Sequence, residues 1–446
     1  MTPQAVDISE TILSRAMPSG ATNNHSGPRH AAVIGAGISG LGAAYALSKT
    51  HSVTVFEAKR RLGGHARTVE VGRDRQVAVD TGFIVFNYRN YPLLTGLFAE
   101  LDTPVKKSDM AFAASIDGGR IEYGLHSTPA IFAQKSNLAR LGFWRMLADI
   151  PRFNRGVKTL VDEPGLTLGN ALDRLKMGRW HRQYFLLPLS GAVWSASPKQ
   201  MLDFPLATFV RFFENHGLLT INDQPQWHTV EGGSRVYVAQ LAQAILANGG
   251  EIFTSARIES VSRNHCGVAV KPAGQETQFF DDVVFACHSD QALALLDDPD
   301  PDEQSILGAM RYSPNKVILH DDPSVMPKRR VCWASWNYHG NANVTDPKMT
   351  VTYWMNRLQD IPKDVPLFVT LNPASPIRDE CVFDETELSH PVFDQPAIDA
   401  QAALPRIQGR RNTWFCGAYA RYGFHEDGLL SAVTVARAMG AAPAWA

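Results

Sequence analysis

The stretch that decides the fold is residues 31–68, AAVIGAGISGLGAAYALSKTHSVTVFEAKRRLGGHART. It opens with a short apolar strand at 31–34. Gly35, Gly37 and Gly40 follow in G-x-G-x-x-G spacing, and then comes a helix rich in Ala and Leu. Each glycine has its own physical task. Gly35 permits the tight strand-to-helix turn, Gly37 lets backbone N–H groups approach a pyrophosphate, and Gly40 lets the helix lie close on its sheet. The pyrophosphate belongs at the positive N-terminal end of that helix. A second strand at 52–56 ends in Glu57, roughly 20 residues beyond the first glycines, where a carboxylate accepts hydrogen bonds from ribose hydroxyls. An acid there suits an unphosphorylated ribose and argues against a 2′-phosphate.

A chain of 446 residues is too long for one ordinary core and suits two interleaved domains. Hydrophobic residues at 45% and charged residues at 20% are those of a globular protein. The formal net charge of -1 gives no reason to expect a nucleic-acid partner. Cys266, Cys287, Cys332, Cys381 and Cys416 are scattered without a C-x-x-C pair. Neither a metal site nor a disulfide framework is indicated, and a reducing cytoplasm is the natural compartment. Residues 1–30 form a run of low hydrophobicity without the apolar centre of a signal peptide, expected to be a disordered lead-in. No stretch reaches the ~20 apolar residues of a transmembrane helix, so the expectation is a soluble or at most membrane-peripheral protein.

Residues 57–68, with Glu57, Gly63, Gly64, His65, Arg67 and Thr68, resemble the E-x(5)-G-G-R-x-x-T signature of the flavin-containing amine oxidase superfamily. That superfamily includes phytoene desaturase-like and protoporphyrinogen oxidase-like enzymes. His65 stands where the family usually has arginine, with Arg67 as a replacement for the anionic contact. Further matching pieces follow in the family's order: the D-x-G segment at 80–82, the WHTVEGGS run from Trp227, a strand containing Ile258, a buried strand at 282–286 expected to close the nucleotide-binding sheet, and Trp414 to Gly417 followed by GFHEDGLLSA at 423–432. The GGH variant and that ending resemble a bacterial group of amine oxidase-like FAD-binding proteins, related to fatty acyl desaturases and double-bond isomerases.

The resemblance implies a Rossmann-like FAD-binding domain, at 31–100, 226–290 and 405–446. It is interleaved with an α+β substrate domain, an antiparallel sheet with a helical cap, at 101–225 and 291–404. It implies non-covalent FAD held by Gly35, Gly37, Ile38, Ser39, Gly40, Glu57, Ala58, Gly63, Gly64, His65, Arg67, Thr68, Thr81, Gly82, Phe83, Ile258, Gly417, His425, Glu426 and Leu429. Phe424 replaces the tyrosine of the amine oxidases' aromatic cage and is expected as a flavin-facing wall. Lys316, on a strand after Ser313, Pro314 and Asn315, resembles the family lysine that holds a water at flavin N5 and assists reoxidation by oxygen.

Between these pieces the pattern predicts a helix over 87–101, a hairpin over 110–125, amphipathic helices over 129–175 and an aromatic-rich helical region through 204–213. Basic residues Arg140, Arg145, Arg152, Arg155 and Lys158 accompany Leu138, Leu141 and Trp144. They form either a solvated helical face or a surface for lipid headgroups. Strands are expected at 316–320, 331–337, 350–356 and 367–371. Three functions compete. The first is hydride transfer to flavin from a hydrophobic, fatty-acyl or lipid-like substrate, by desaturation or isomerisation. The second is amine oxidation, and the third a non-catalytic FAD module. The abundance of Phe, Trp and Leu in the cap favours the first.

Overall fold

The computed structural model describes residues 27–72, 77–163, 165–219, 224–264, 267–341 and 349–446. The disordered lead-in expected at 1–30 lies, up to residue 26, outside the described residues, as does Cys266. The architecture is the expected α/β one: a parallel Rossmann-like sheet interleaved with an antiparallel sheet under a helical layer.

The parallel sheet has the order Glu251–Phe253, Ser52–Phe56, His30–Ile34, Asp282–Phe285, Thr413–Phe415. Its first strand is apolar on both faces because both are covered. Ala31 and Val33 join one core with the glycine-motif helix, while Ala32 and Ile34 join the other with Phe253 and Phe285. The helix Ile38–Leu47 is buried along its whole length. It packs between the helices Arg235–Ala247 and His425–Ala438, which explains its small residues. Strand Asp282–Phe285 is interior rather than closing. Thr413–Phe415 lies outside it as the edge strand.

The second sheet runs Val382–Pro391, Tyr312–His320, Phe368–Leu371, Thr350–Trp354, Trp336–Gly340, Phe112–Ile116, Ile121–Gly124. It is antiparallel except where Trp336–Gly340 meets Phe112–Ile116. The strand expected at 331–337 begins later. Residues 330–332 form a 3-10 turn, and the Asn337 side chain closes the loop by bonding both Ala334 N and Ala334 O. The helix expected over 87–101 begins at Pro92, where a missing N–H does no harm. Phe86–Asn87 instead pair with Trp227–Val230.

Helices from 141 to 215 cover the second sheet and share one aromatic core with it. Among them lies a π-helical turn, Arg182–Leu186, leading into the helix Leu187–Trp194. Its cause is local. Pro188 has no N–H to offer the carbonyl of Tyr184 four residues earlier. That carbonyl instead accepts from the Tyr123 hydroxyl at 2.5 Å.

Candidate functional site

One cavity of about 1700 Å³ joins the two sheets. At one end it is lined by Gly35, Ala36, Gly37, Ile38 and Ser39, by Glu57 and Ala58, and by Ile258. Gly35 has φ +104°, and a Cβ there would lie 2.9 Å from Ala286 O, so the turn itself demands glycine. Gly37 differs. Its φ of -76° suits any residue, and a Cβ would meet only Gly64 Cα at 3.9 Å. The protein leaves room for a side chain at Gly37, and the space in question belongs to the cavity, at the N-terminus of a ten-residue helix. That is the cradle a diphosphate requires. The Glu57 carboxylate accepts from Ala36 N at 2.8 Å and from Lys59 N at 2.9 Å. Each oxygen retains a lone pair for a ribose hydroxyl. These residues fit a flavin adenine dinucleotide.

The middle of the cavity is lined by Gly64, His65, Thr81, Gly82, Phe83, Gly417, Phe424 and His425. His425 opens the final helix, stacks on Phe83 with ring centroids 3.9 Å apart, and shares a 2.5 Å hydrogen bond with the Tyr237 hydroxyl. Phe424 stacks on Phe212 at 4.5 Å. Beyond it the cavity enters an apolar arm between the helical layer and the second sheet, walled by Leu147, Ile150, Phe185, Leu189, Trp194, Trp336 and Tyr353.

Seven expected site residues do not line this cavity. Lys316 is on the wrong face of its strand. Alternation turns Val317 into the cavity, and Lys316 faces solvent, ion-paired with Glu385 at 2.9 Å. Arg67 is held by Asp384 and by Thr81 Oγ1, leaving its charge already matched. Thr68 bonds Asp80 at 2.6 Å and receives Arg235 N at 3.0 Å, so it braces the fold. Glu426 accepts from Leu93 N and Leu94 N, capping the helix Pro92–Glu100. Leu429 packs against the glycine-motif helix at Gly42, and at Gly40 a Cβ would lie 1.8 Å from Gly35 O. Gly63 bonds Ala36 O through its N–H and so ties the double glycine to the first turn.

Sequence reasoning missed His288, His390 and Tyr312, which line the cavity beside His65. The His65 ring lies 6.1 Å from that of His288 and 5.6 Å from that of His390, and His65 Nε2 bonds Ser389 O at 3.1 Å. His390 belongs to the strand Val382–Pro391, which its three acidic residues disguised. The cluster includes the histidine that departs from the family's arginine, and that departure was the available signal.

Burial pushes the imidazoles of His65 and His425 down to about 3 and that of His390 to about 4. These groups bind protons more readily when unfolded, so the stability they contribute is complete above about pH 6.5 and is lost as pH falls toward their folded values. Burial acts oppositely on Asp80, raised to about 6, and Asp427, raised to about 7, whose contribution grows on acidification. Comparing wild type with His65→Gln isolates the histidine part. Urea unfolding at pH 7 and pH 5 should show a smaller acid loss in the variant, and equal losses would refute a neutral buried His65.

The sequence model of the family described as "Flavin containing amine oxidoreductase" matches residues 38–390. Among curated proteins, the L-amino-acid oxidase of Gloydius halys is 59% identical over 44 residues, 10% of this chain and 9% of that protein. The mitochondrial protoporphyrinogen oxidase of Nicotiana tabacum is 54% identical over 54 residues, 12% of this chain and 10% of that protein. The chain thus matches only about a tenth of the length of these relatives. Among solved structures, wild-type putrescine oxidase bound to putrescine superposes with TM-score 0.66 at 16% identity, covering 93% of this chain and 99% of that one. The CLA-producing fatty acid isomerase from P. acnes superposes with TM-score 0.64 at 16% identity, covering 92% and 98%. Cyclohexylamine oxidase from Brevibacterium oxydans IH-35A gives 0.63 at 16%, covering 93% and 100%. At such identities these structures share the fold.

Proposed function

This chain belongs to the flavin containing amine oxidoreductase family, and from that premise we propose that it is an FAD-dependent oxidoreductase taking hydride from a C–H of a hydrophobic, fatty-acyl or lipid-like substrate, by desaturation or double-bond isomerisation. Bound FAD supplies the electron acceptor. The chain supplies the rest. Segments 31–100, 226–290 and 405–446 hold the dinucleotide, and 101–225 with 291–404 form the substrate part. Gly37, the helix N-terminus behind it and Glu57 receive the diphosphate and ribose, and Phe83, His425 and Phe424 bound the middle of the cavity.

The observation that carries the substrate class is the apolar arm. None of the residues that wall it, Leu147, Ile150, Phe185, Leu189, Trp194, Trp336 and Tyr353, is a carboxylate; of the cavity's other described lining residues from 101–225 and 291–404, Asp109 is ion-paired with Arg357 at 2.9 Å and Glu387 is exposed on the edge strand. An ammonium substrate would find no free negative charge there, whereas an acyl chain finds aromatic and aliphatic walls that exclude water. Phe424, already stacked on Phe212, stands in place of a cage tyrosine. The test is anaerobic incubation of the flavin-loaded protein with long-chain fatty acids and esters and, separately, with primary amines. Flavin bleaching or a shifted double bond with lipids supports the proposal. Bleaching by amines alone overturns it.

Glu57→Gln keeps the shape and one acceptor but removes the charge. FAD binding should weaken by about 1.5–3 kcal/mol, the size of a charge-assisted hydrogen bond. Titration of flavin-free protein with FAD reads this directly, and unchanged affinity would place the ribose elsewhere.

A further inference from the structure

The exposed end of the helix that walls the apolar arm carries an unusual surface. Of the eight large hydrophobic side chains exposed among the described residues, three fall within seven positions: Leu141 at 83%, Leu138 at 48% and Trp144 at 46%. They are held in place. Trp144 Nε1 donates to Leu138 O at 2.9 Å, and the Trp144 ring packs on Phe132 at 5.5 Å. Little ordering remains to be done on binding. Lys135 and Arg145 are exposed around them and have no carboxylate partner among the described residues. Asp149, one turn on, is neutralised by Arg152. The inner face of the same helix, Leu141–Gly156, supplies Leu147, Ile150 and Asn154 to the cavity wall.

We propose that this helix end docks on an anionic lipid bilayer, placing the wall of the apolar arm at the membrane surface. The proposal rests on the lipid-like substrate argued above. Apolar side chains with a tryptophan, ringed by unpaired cations, match the boundary between acyl chains and anionic headgroups. A second copy of the chain fits less well. A two-fold contact brings a patch against itself, and Lys135 and Arg145 would then face their own equivalents without counter-charge. Among the described residues no helix is long and apolar enough to cross a membrane, so the contact is a surface one.

The test uses the full flavin-loaded chain and sedimentation with vesicles of mixed phosphatidylglycerol and phosphatidylcholine, or of phosphatidylcholine alone. Binding should favour the anionic vesicles and weaken with salt. The double variant Leu141→Glu/Arg145→Glu should bind at least tenfold more weakly, with flavin content and unfolding midpoint unchanged because both side chains are exposed. Absence of binding to anionic vesicles overturns the proposal, as does equal binding by the variant. A concentration-dependent dimer abolished by the same substitutions would also overturn it by assigning the patch to a second copy. Flavin bleaching by dispersed fatty acid without vesicles reads the substrate class separately, so failure of docking and failure of the substrate proposal give different results.

Discussion

A Gly37→Val chain is expected to purify folded and colourless. The backbone at Gly37, φ -76° and ψ -173°, lies in the extended region that valine prefers. The added Cβ touches nothing nearer than Gly64 Cα at 3.9 Å. The flavin-free protein therefore tolerates the change. The isopropyl group, however, fills the space at the helix N-terminus in which backbone N–H groups would reach the diphosphate. Loss of that contact and the steric overlap together should lower FAD affinity more than ~100-fold, above ~2.7 kcal/mol. The ratio of flavin to protein absorbance and urea unfolding of the flavin-free proteins provide the two readings. The second separates this effect from that of Gly40→Val, where a Cβ 1.8 Å from Gly35 O would disrupt the fold itself. Stoichiometric FAD in Gly37→Val would refute the cofactor placement.

Replacing Glu303 by leucine should destabilise the protein by about 3–5 kcal/mol, as removal of one partner from a buried ion pair does. Arg263 and Glu303 are both fully buried and joined by two hydrogen bonds, Nη1 to Oε1 at 2.5 Å and Nη2 to Oε2 at 2.9 Å. Arg263 lies on the strand Ile258–Asn264, and Glu303 on the helix Pro301–Gly308, where its carboxylate also accepts from Asp300 N. Leucine would leave the guanidinium with the half-exposed Asp298 and a weak contact to Thr413. Arg263→Met combined with Glu303→Leu should recover much of the loss, since an apolar pair leaves no uncompensated charge. Urea unfolding of the wild type and these two variants measures this. A single-variant loss below ~1 kcal/mol would mean that water or Asp298 replaces the lost carboxylate.

The nucleotide-binding half was legible because local chemistry determines it. The strand Ser52–Phe56 falls at its expected bounds, and Gly35 and Gly40 have the roles that turn geometry and helix packing assign. What failed was direction. Glu426 and Arg67 have the charge a flavin could use, but each is already committed, to a helix N-terminus and to Asp384, across separations of more than 300 residues. Sequence spacing does not reveal such partners. Lys316 failed by one step of strand alternation, which Val317 resolves only once the cavity's side of the sheet is known. The strand Val382–Pro391 was hidden because its exposed edge carries charge where the expected pattern was apolar.

The π-helical turn at Arg182–Leu186 gives the apolar arm an adjustment that side-chain replacement does not offer. A π turn holds one residue more than the α-helical turn it replaces, and each residue rotates an α-helix by about 100°. Deleting that extra residue together with Pro188→Ala would convert the segment to α-helix with its flanking faces still in phase. Pro188→Ala alone, if it restored α-helical bonding with the extra residue kept, would rotate the upstream and downstream faces relative to each other by that angle. Phe185, Leu189 and Trp194 now point into the arm in a phase set by Pro188. Among homologous chains, loss of the proline together with one residue here would leave the wall of the pocket aimed as it is, whereas either change without the other would re-aim it while leaving its composition intact, so the pairing of gap and proline at this turn carries information about substrate shape that the lining residues do not.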